Sequence, residues 1–389
     1  MTMIADTVAD GIAAVLKGPA ALHEPTFAGR EWDYVKDCLD SGWVSTAGDY
    51  VERFEAMLAD FTGVAHAVAT VNGTAALHTA LKLIGVQAGD EVIVPTLTFV
   101  ATANAATYLG AVPHLADCEE RTLGLDATKL AAHLETVAEP ANGARRNRAT
   151  GRRIAAVVCM HTFGHPVDLD ALVRVCERFG VPLIEDAAES LGSYYKSRHT
   201  GNHGRLSILS FNGNKTVTTG GGGAVLTNDD GLAKAARHLT TTAKTPHKWE
   251  YAHDQAGFNY RLPNLNAALG CAQLERLPDL LARKRRLAEA YDAAFAGRNG
   301  VRFFREPDFA RSNYWLNALL LDRDVADDRD AVLERTNARG FMTRPAWTPM
   351  HRLPMYDDCP RMDLGAADDL YRRLINIPSS AHLADGLDG

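Results

Sequence analysis

The sequence predicts an α/β protein built on a mostly parallel central sheet. Between about residue 65 and residue 240, short β-branched or apolar runs alternate with helical patterns, an alternation typical of βαβ units. Hydrophobic residues make up 46% of the chain and charged residues 23%, which is the balance of a globular protein with a large core. At 389 residues the chain exceeds one ordinary domain, so a second domain is expected.

Short apolar runs in the first 230 residues are the predicted strands of this sheet. In chain order they are "HAVATV" (66–71), "EVIVP" (91–95), "VPHLAD" (112–117), "IAAVVCM" (154–160), "VPLIED" (181–186), "LSILSF" (206–211) and "GAVLTN" (223–228). Helical spacing lies between them, as in "TAALHTALKLIG" and in "DLDALVRVCERFG", which Asp168 or Asp170 opens as an N-cap. The stretch 139–153, rich in turn residues and arginine, is predicted to be a solvated loop.

A change of pattern after residue 264 predicts the second domain. A long helix over 265–297, broken near Pro278, leads to a predicted strand at 314–321 and to a helix over 328–340 that ends at glycine. We therefore expect an N-terminal segment and a large α/β domain over residues 1–264. The linking helix and a small α+β domain would occupy residues 265–389.

Charge and the N-terminus exclude several classes of partner. The formal net charge of −7 gives no basic surface for nucleic acid. The start of the chain, with Asp6 and Asp10, predicts an amphipathic helix and not a signal peptide, and no apolar stretch approaches the roughly 18 to 20 residues that cross a bilayer. Six cysteines without a Cys-x-x-Cys pair favour buried, reduced thiols. We expect a cytoplasmic protein that acts on small molecules.

The turn Asn72-Gly73-Thr74 follows the first predicted strand and opens a helix. A helix N-terminus offers free backbone N–H groups to a phosphate, and the Thr74 hydroxyl adds a donor. An ordinary glycine turn capped by Thr74 explains the same residues equally well.

Two further residues follow strand ends, where parallel α/β sheets bind ligands. Asp186 can pair with a cationic ring nitrogen or form a salt bridge, because a buried carboxylate without a partner costs several kcal/mol. Phe99 can stack on an aromatic ligand, although a single Phe is more often part of a core.

Lys215 stands between Asn214 and Thr216, close to the glycine run Gly220–Gly223. A phosphate-binding P-loop has glycine immediately before its lysine and its glycines upstream, so this spacing excludes it. The glycine run leads into a strand and more plausibly provides close backbone packing or positive φ angles. A lysine at a strand end can instead form a Schiff base. Pyridoxal phosphate unites these residues: Lys215 for the aldehyde, Asp186 for the ring nitrogen, Phe99 for the ring face, and Gly73, Thr74 and Ser210 for the phosphate.

The sequence resembles the DegT/DnrJ/EryC1/StrS group of pyridoxal-phosphate-dependent nucleotide-sugar aminotransferases. The matching segments are "GWVSTAGDYVERFE", "VNGTAAL", "TFVATANA", "HTFGHPVDLDAL", "IEDAAESLGSYYKSRHTG", "SFNGNKTVTTGGGGAVLTN", "GFNYRLPNLNAALGCAQLE" and "PMHRLPMY", which span roughly residues 22 to 380. The resemblance implies a fold type I, aspartate-aminotransferase-like architecture and a Schiff base on Lys215. It also implies a homodimer with shared active sites, in which Asn259 completes the phosphate site of the other subunit.

Several site residues are expected only from this resemblance. Glu189 stands where many relatives have Gln or His, facing the phenolic oxygen of the cofactor. An ionised carboxylate there would repel a phenolate, so we expect either a protonated Glu189 or a side chain turned elsewhere. Expected sugar-nucleotide contacts are Trp43, Ser45, His161 and His351, with a surface histidine as the alternative for His351. No metal site is expected at His161 and His165, because they lie in a Gly/Pro turn and not on one helical face.

The expected reaction is a transamination in two halves. L-Glutamate would convert the cofactor to pyridoxamine phosphate, which would then aminate C4 of a nucleotide-linked 4-keto-6-deoxy sugar. The segments "MHTFGHP", "ESLGSYYK" and "LSFNGNK" resemble the branch that acts on UDP-4-keto-6-deoxy-N-acetylhexosamines. The alternatives are GDP-4-keto-6-deoxymannose as substrate, or a pyridoxal-bearing regulator without turnover.

Overall fold

The computed structural model describes residues 3–141 and 143–387. Its α-helices are α1 (Met3–Val15), α2 (Glu31–Ser41), α3 (Asp49–Thr62), α4 (Gly73–Leu83), α5 (Ala101–Thr107), α6 (Ala127–Val137), α7 (Leu169–Phe179), α8 (Asp230–Thr240), α9 (Asn264–Glu275), α10 (Leu277–Phe295), α11 (Arg329–Ala338) and α12 (Gly365–Arg373). Its strands are β1 (His66–Thr70), β2 (Glu91–Pro95), β3 (Val112–Ala116), β4 (Ala138–Ala141), β5 (Ala144–Asn147), β6 (Arg153–Met160), β7 (Leu183–Asp186), β8 (Tyr194–Tyr195), β9 (Arg198–His199), β10 (Leu206–Ser210), β11 (Gly223–Thr227), β12 (Val301–Phe303), β13 (Ala310–Arg311), β14 (Asn317–Leu321), β15 (Arg344–Pro345) and β16 (Leu374–Ile377). None of the helices in these ranges is both long and apolar enough to span a bilayer.

The large sheet has the order β1-β11-β10-β7-β6-β2-β3. Its pairs from β10 to β3 are parallel, whereas β11 runs antiparallel to both β1 and β10. The predicted mostly parallel α/β sheet is thus confirmed. Because β1, β2, β6, β7 and β10 point the same way, their carboxyl ends meet at one edge, where ligands bind in such sheets.

The arginine-rich stretch 139–153 differs from its prediction as a loop. Within it β4 pairs with β5, and β5 pairs with the first residues of β6, which begins before its parallel neighbours. This pairing provides hydrogen-bond partners for the backbone N–H and C=O groups of β5. The polar composition of the segment gives no sign of these partners. The side chains of Arg146 and Arg148 are exposed, as a solvated segment requires.

The C-terminal part contains a second, antiparallel sheet with the order β12-β14-β16-β15. Helix α1 packs with α10 and α11 against it, through buried side chains such as Ile12, Leu287, Leu319 and Val332. The predicted long helix is two helices, α9 and α10, with Pro278 in the first turn of α10, where a missing N–H loses no intrahelical hydrogen bond.

Candidate active site

A cavity of about 320 Å³ lies at the carboxyl edge of the large sheet. Seven residues singled out in the sequence line it together: Gly73, Thr74, Phe99, Asp186, Glu189, Ser210 and Lys215. They come from the ends of different strands, so the parallel arrangement of the sheet brings them to one place.

The turn into α4 forms one end of this cavity. Asn72 is the N-cap, and its side chain accepts a hydrogen bond of 2.7 Å from the Ala75 N–H. Capping therefore falls to Asn72 and not to Thr74, which lines the cavity beside the first N–H groups of the helix. Such a helix N-terminus is a natural anion site.

The glycine run supplies the backbone space that this turn needs. A Cβ on Gly223 would lie 2.4 Å from the carbonyl carbon of Asn72 and 2.6 Å from the nitrogen of Gly73, so any side chain there would displace the turn. Gly220 has a φ of +78°, a conformation that favours glycine. The predicted roles of these glycines, close packing and positive φ, are confirmed.

Asp186, at the end of β7, is buried with only 4% of its surface exposed. Thr102 Oγ1 donates to its Oδ2 at 2.8 Å, and the Ala188 N–H donates to its Oδ1 at 3.2 Å. Burial raises the pKa of Asp186, partly offset by these donors. Both donors are neutral, so a cationic ring nitrogen in the cavity would supply the opposite charge that favours the ionised carboxylate.

The amine of Lys215 lies between a carboxylate and an indole ring. Its Nζ is 3.3 Å from Glu189 Oε1 and 3.7 Å from the ring centroid of Trp315. The other oxygen of Glu189 accepts a 2.9 Å hydrogen bond from the Phe163 N–H. Burial raises the pKa of Glu189 to about 7, against the opposing effect of Lys215. Glu189 therefore faces the cavity, and near neutral pH a large fraction of it is protonated.

Two tryptophans of the C-terminal part also line the cavity, Trp315 and Trp347. The ring of Phe99, 49% exposed, meets Trp347 edge to face with centroids 6.3 Å apart, so Phe99 is not a core residue. The sequence did not single out either tryptophan, because neither follows a predicted strand of the large sheet. Their signal was a large aromatic side chain beside polar or proline residues, in "SNYW" and "PAWTP".

Two predicted sugar contacts lie outside the cavity lining. His161 is fully buried, and its Nε2 is 3.1 Å from Glu185 Oε2. Burial alone would raise the pKa of Glu185, but the hydrogen bond and charge of His161 lower it to about 2. The ring of His161 is thus enclosed in the core and stands outside the cavity lining, and its contact with a sugar stays a prediction. His351 is held by Thr96 Oγ1 at 2.8 Å and by Asp368 Oδ1 at 3.1 Å, so it is neither a free surface histidine nor part of the cavity.

The remaining expected residues are exposed and also stand outside the cavity lining. Trp43 is 60% exposed, and the backbone carbonyl of Ser45 accepts a 2.6 Å hydrogen bond from Asn264. Asn259 is exposed on a segment bridged to Thr241. The contacts of these residues with a cofactor or a sugar stay predictions.

The cavity fits pyridoxal phosphate. It offers an amine, a buried carboxylate without a cationic hydrogen-bond donor, an aromatic ring, and a helix N-terminus flanked by Thr74 and Ser210. These are the groups that this cofactor needs from a protein.

Comparison with known proteins agrees with this geometry. The model of the DegT/DnrJ/EryC1/StrS aminotransferase family matches residues 25–387. GDP-perosamine synthase of Caulobacter vibrioides is 39% identical over 93% of each chain. The enzyme of the same name from Escherichia coli O157:H7 is 35% identical over 94% of each chain. The solved structure of DesI in the presence of its TDP-sugar product is similar, with a TM-score of 0.82 and 29% identity over 99% of this chain and 96% of that one. The chain is therefore a pyridoxal-phosphate-dependent sugar aminotransferase and belongs to the DegT/DnrJ/EryC1/StrS aminotransferase family.

Proposed function

We propose that the enzyme transfers the amino group of L-glutamate to C4 of a nucleotide-linked 4-keto-6-deoxy sugar, with Lys215 as the catalytic amine. The observation that supports this most directly is that the Lys215 amine, the Asp186 carboxylate and the N-terminus of α4 surround one cavity. Lysine in this position can carry the cofactor and then move a proton once it is released.

The residues divide the work by their chemistry. Gly73, Thr74 and Ser210 would hold the phosphate of the cofactor, and Asp186 would hold its protonated ring nitrogen. Bound pyridoxal phosphate supplies an electron sink for negative charge on the substrate carbon and carries the amino group. The free Lys215 amine moves a proton to or from that carbon. Glu189 orients this amine, because its Oε1 lies 3.3 Å from Lys215 Nζ.

GDP-4-keto-6-deoxymannose is the sugar that the relatives favour. GDP-perosamine synthases from three organisms are 35% to 39% identical over 93% to 94% of this chain. A UDP-4-keto-6-deoxy-N-acetylhexosamine is the second candidate, on the resemblance of "MHTFGHP", "ESLGSYYK" and "LSFNGNK".

Steady-state assays with L-glutamate and each keto sugar decide between the two sugars, with products identified by mass spectrometry. We expect kcat/KM to be at least about tenfold higher with the GDP sugar. A preference for the UDP sugar would contradict the assignment of the GDP sugar as substrate. Absence of turnover with any donor and keto sugar would favour the alternative of a pyridoxal-bearing regulator without turnover.

The role of Lys215 is tested by Lys215→Ala. The purified variant should lose the yellow, borohydride-reducible chromophore and glutamate-dependent activity. Lys196→Ala removes a surface lysine paired with Asp170 and should keep both. A yellow, active Lys215→Ala enzyme contradicts the proposal.

The proposed enzyme is a homodimer in which Asn259 serves the phosphate site of the second copy. Exposure of Asn259 outside its own cavity supports this arrangement. Lys215→Ala and Asn259→Ala should each be inactive alone. When they are mixed and reassembled, about a quarter of the sites regain both residues, because half of the dimers are mixed and each has one intact site. Mixtures without recovered activity would show that Asn259 acts elsewhere.

A further inference from the structure

Lys284, in the middle of α10, is a second lysine that the mechanism above does not use. Only 1% of it is exposed. Its Nζ lies 3.0 Å from His23 Nε2, 3.1 Å from the Trp315 carbonyl oxygen and 2.7 Å from the Ser379 carbonyl oxygen. An ammonium group has three N–H donors and accepts nothing, so these three acceptors match its full capacity.

One of these contacts connects α10 to the catalytic amine through Trp315. Lys284 holds the backbone of Trp315, and the Trp315 indole N–H donates to the Asn214 carbonyl at 2.7 Å. The ring of the same tryptophan lies 3.7 Å from Lys215 Nζ. Trp315 therefore fixes both the chain position before Lys215 and the amine itself.

The site is unfavourable for a charge, which argues against a purely structural role. Burial lowers the pKa of Lys284 to about 7. The pKa of His23 is held well below its ordinary value by burial and then by the charges of Lys284 and Lys215. A buried charge contributes little to stability relative to a well-packed apolar side chain of similar size, so stability alone does not account for this lysine.

We propose that Lys284, with His23 as its acceptor, is a positioning residue that holds Trp315 against Lys215. This inference rests on the proposed role of Lys215 and not on the identity of the sugar. Lys284→Met keeps an unbranched side chain one atom shorter and removes its donors. Without the hydrogen bond from Lys284 to the Trp315 carbonyl, Trp315 can move, and the Lys215 amine can then leave its reactive orientation.

Tyr291→Phe is a matched control on the same helix. The Tyr291 hydroxyl is buried and donates to the Pro378 carbonyl at 3.0 Å, next to the Ser379 carbonyl that Lys284 holds. Tyr291→Phe therefore removes a similar buried hydrogen bond and leaves the contacts of Trp315 unchanged. Both variants are compared as holoenzymes by kcat and KM for L-glutamate. The same proteins are compared by hydrogen exchange of the peptides that contain 212–216 and 313–317.

We expect Lys284→Met to lower kcat by about 10- to 100-fold, as small displacements of a catalytic group do, with KM for glutamate within about threefold. Exchange in both peptides should rise. Tyr291→Phe should keep kcat within about twofold and leave these peptides unchanged. Equal effects of the two variants, or unchanged exchange around Lys215, would overturn the proposal. If Lys284→Met does not fold, His23→Leu removes the side-chain acceptor of Lys284 and should raise exchange in the peptide that contains 313–317, and unchanged exchange there refutes the proposal. If wild-type enzyme fails to use glutamate, the proposed donor is wrong, and the exchange measurement still decides the role of Lys284.

Discussion

Glu189 makes the stability of the cofactor-free protein depend on pH in a direction that a substitution can reveal. Its pKa is about 7, against an ordinary value of 4.5. The folded protein therefore holds this proton more tightly than the unfolded chain does. The contribution of Glu189 to folding is most favourable below about pH 4.5, and it declines as the pH rises toward 7.

Glutamine at this position cannot ionise, so Glu189→Gln removes that dependence. Each pKa unit corresponds to about 1.4 kcal/mol, and the shift predicts that wild-type protein loses about 2.5 kcal/mol relative to Glu189→Gln between pH 5 and pH 8. For a chain of this length that free energy corresponds to a difference of about 3 °C in Tm. The assay is thermal unfolding of both apoproteins across this pH range.

Glu185→Gln is the matched control, because Glu185 is a neighbouring buried carboxylate with the opposite shift. Its pKa is about 2, so its favourable contribution is fully present above about pH 5 and is lost only as the pH falls toward 2. Glu185→Gln should lower Tm by a similar amount at pH 5 and pH 8. If the Tm of Glu189→Gln minus the Tm of wild type does not rise between pH 5 and pH 8, the description of Glu189 as a buried, largely protonated group is wrong.

Three further substitutions test the site. Gly223→Ala should weaken pyridoxal phosphate binding by at least about tenfold, because its Cβ would lie 2.4 Å from the Asn72 backbone and must move the turn. Gly221→Ala, whose Cβ would approach nothing closer than 3.9 Å, should bind normally, and absorbance titration of both apoproteins measures this. Asp186→Asn should keep the fold but slow the half-reaction with glutamate by about 100-fold in stopped-flow absorbance, since a neutral amide cannot stabilise a protonated ring nitrogen, and a rate near wild type would refute that role. His351→Gln should lower stability by about 1 kcal/mol through its contacts with Thr96 and Asp368 and leave KM for the keto sugar within about twofold, and a large rise in KM would return His351 to the sugar site.

Local pattern was enough to predict the central sheet. Buried strands of a parallel sheet are short, continuous apolar runs, and here each stands between turn residues and an amphipathic helix. The predicted run at 91–95 coincides with β2, and the run at 206–211 differs from β10 by one residue. The ends of the predicted strands were in turn enough to predict Asp186, Ser210 and the turn at Gly73 as site residues.

Contacts between residues distant in the chain determined two features that the local sequence pattern does not predict. The arginine-rich segment forms strands because the start of β6 offers it hydrogen bonds, and no local propensity reports a partner. The predicted strand at 314–321 begins only at Asn317, because Trp315 is held instead by Lys284 and Asn214.

The sequence by itself determined the α/β class, the lysine and carboxylate of the site, and the role of its glycines, since each depends on residue type and on neighbours a few positions away. Only the tertiary structure decided that His161 is locked to Glu185 in the core, that Glu189 turns toward Lys215, and that Trp315 and Trp347 complete the cavity. The physical reason is that burial and contact distance set hydrogen bonding and pKa. Both depend on segments that meet only in the folded chain, 24 residues apart for His161 and Glu185 and 101 residues apart for Trp315 and Asn214.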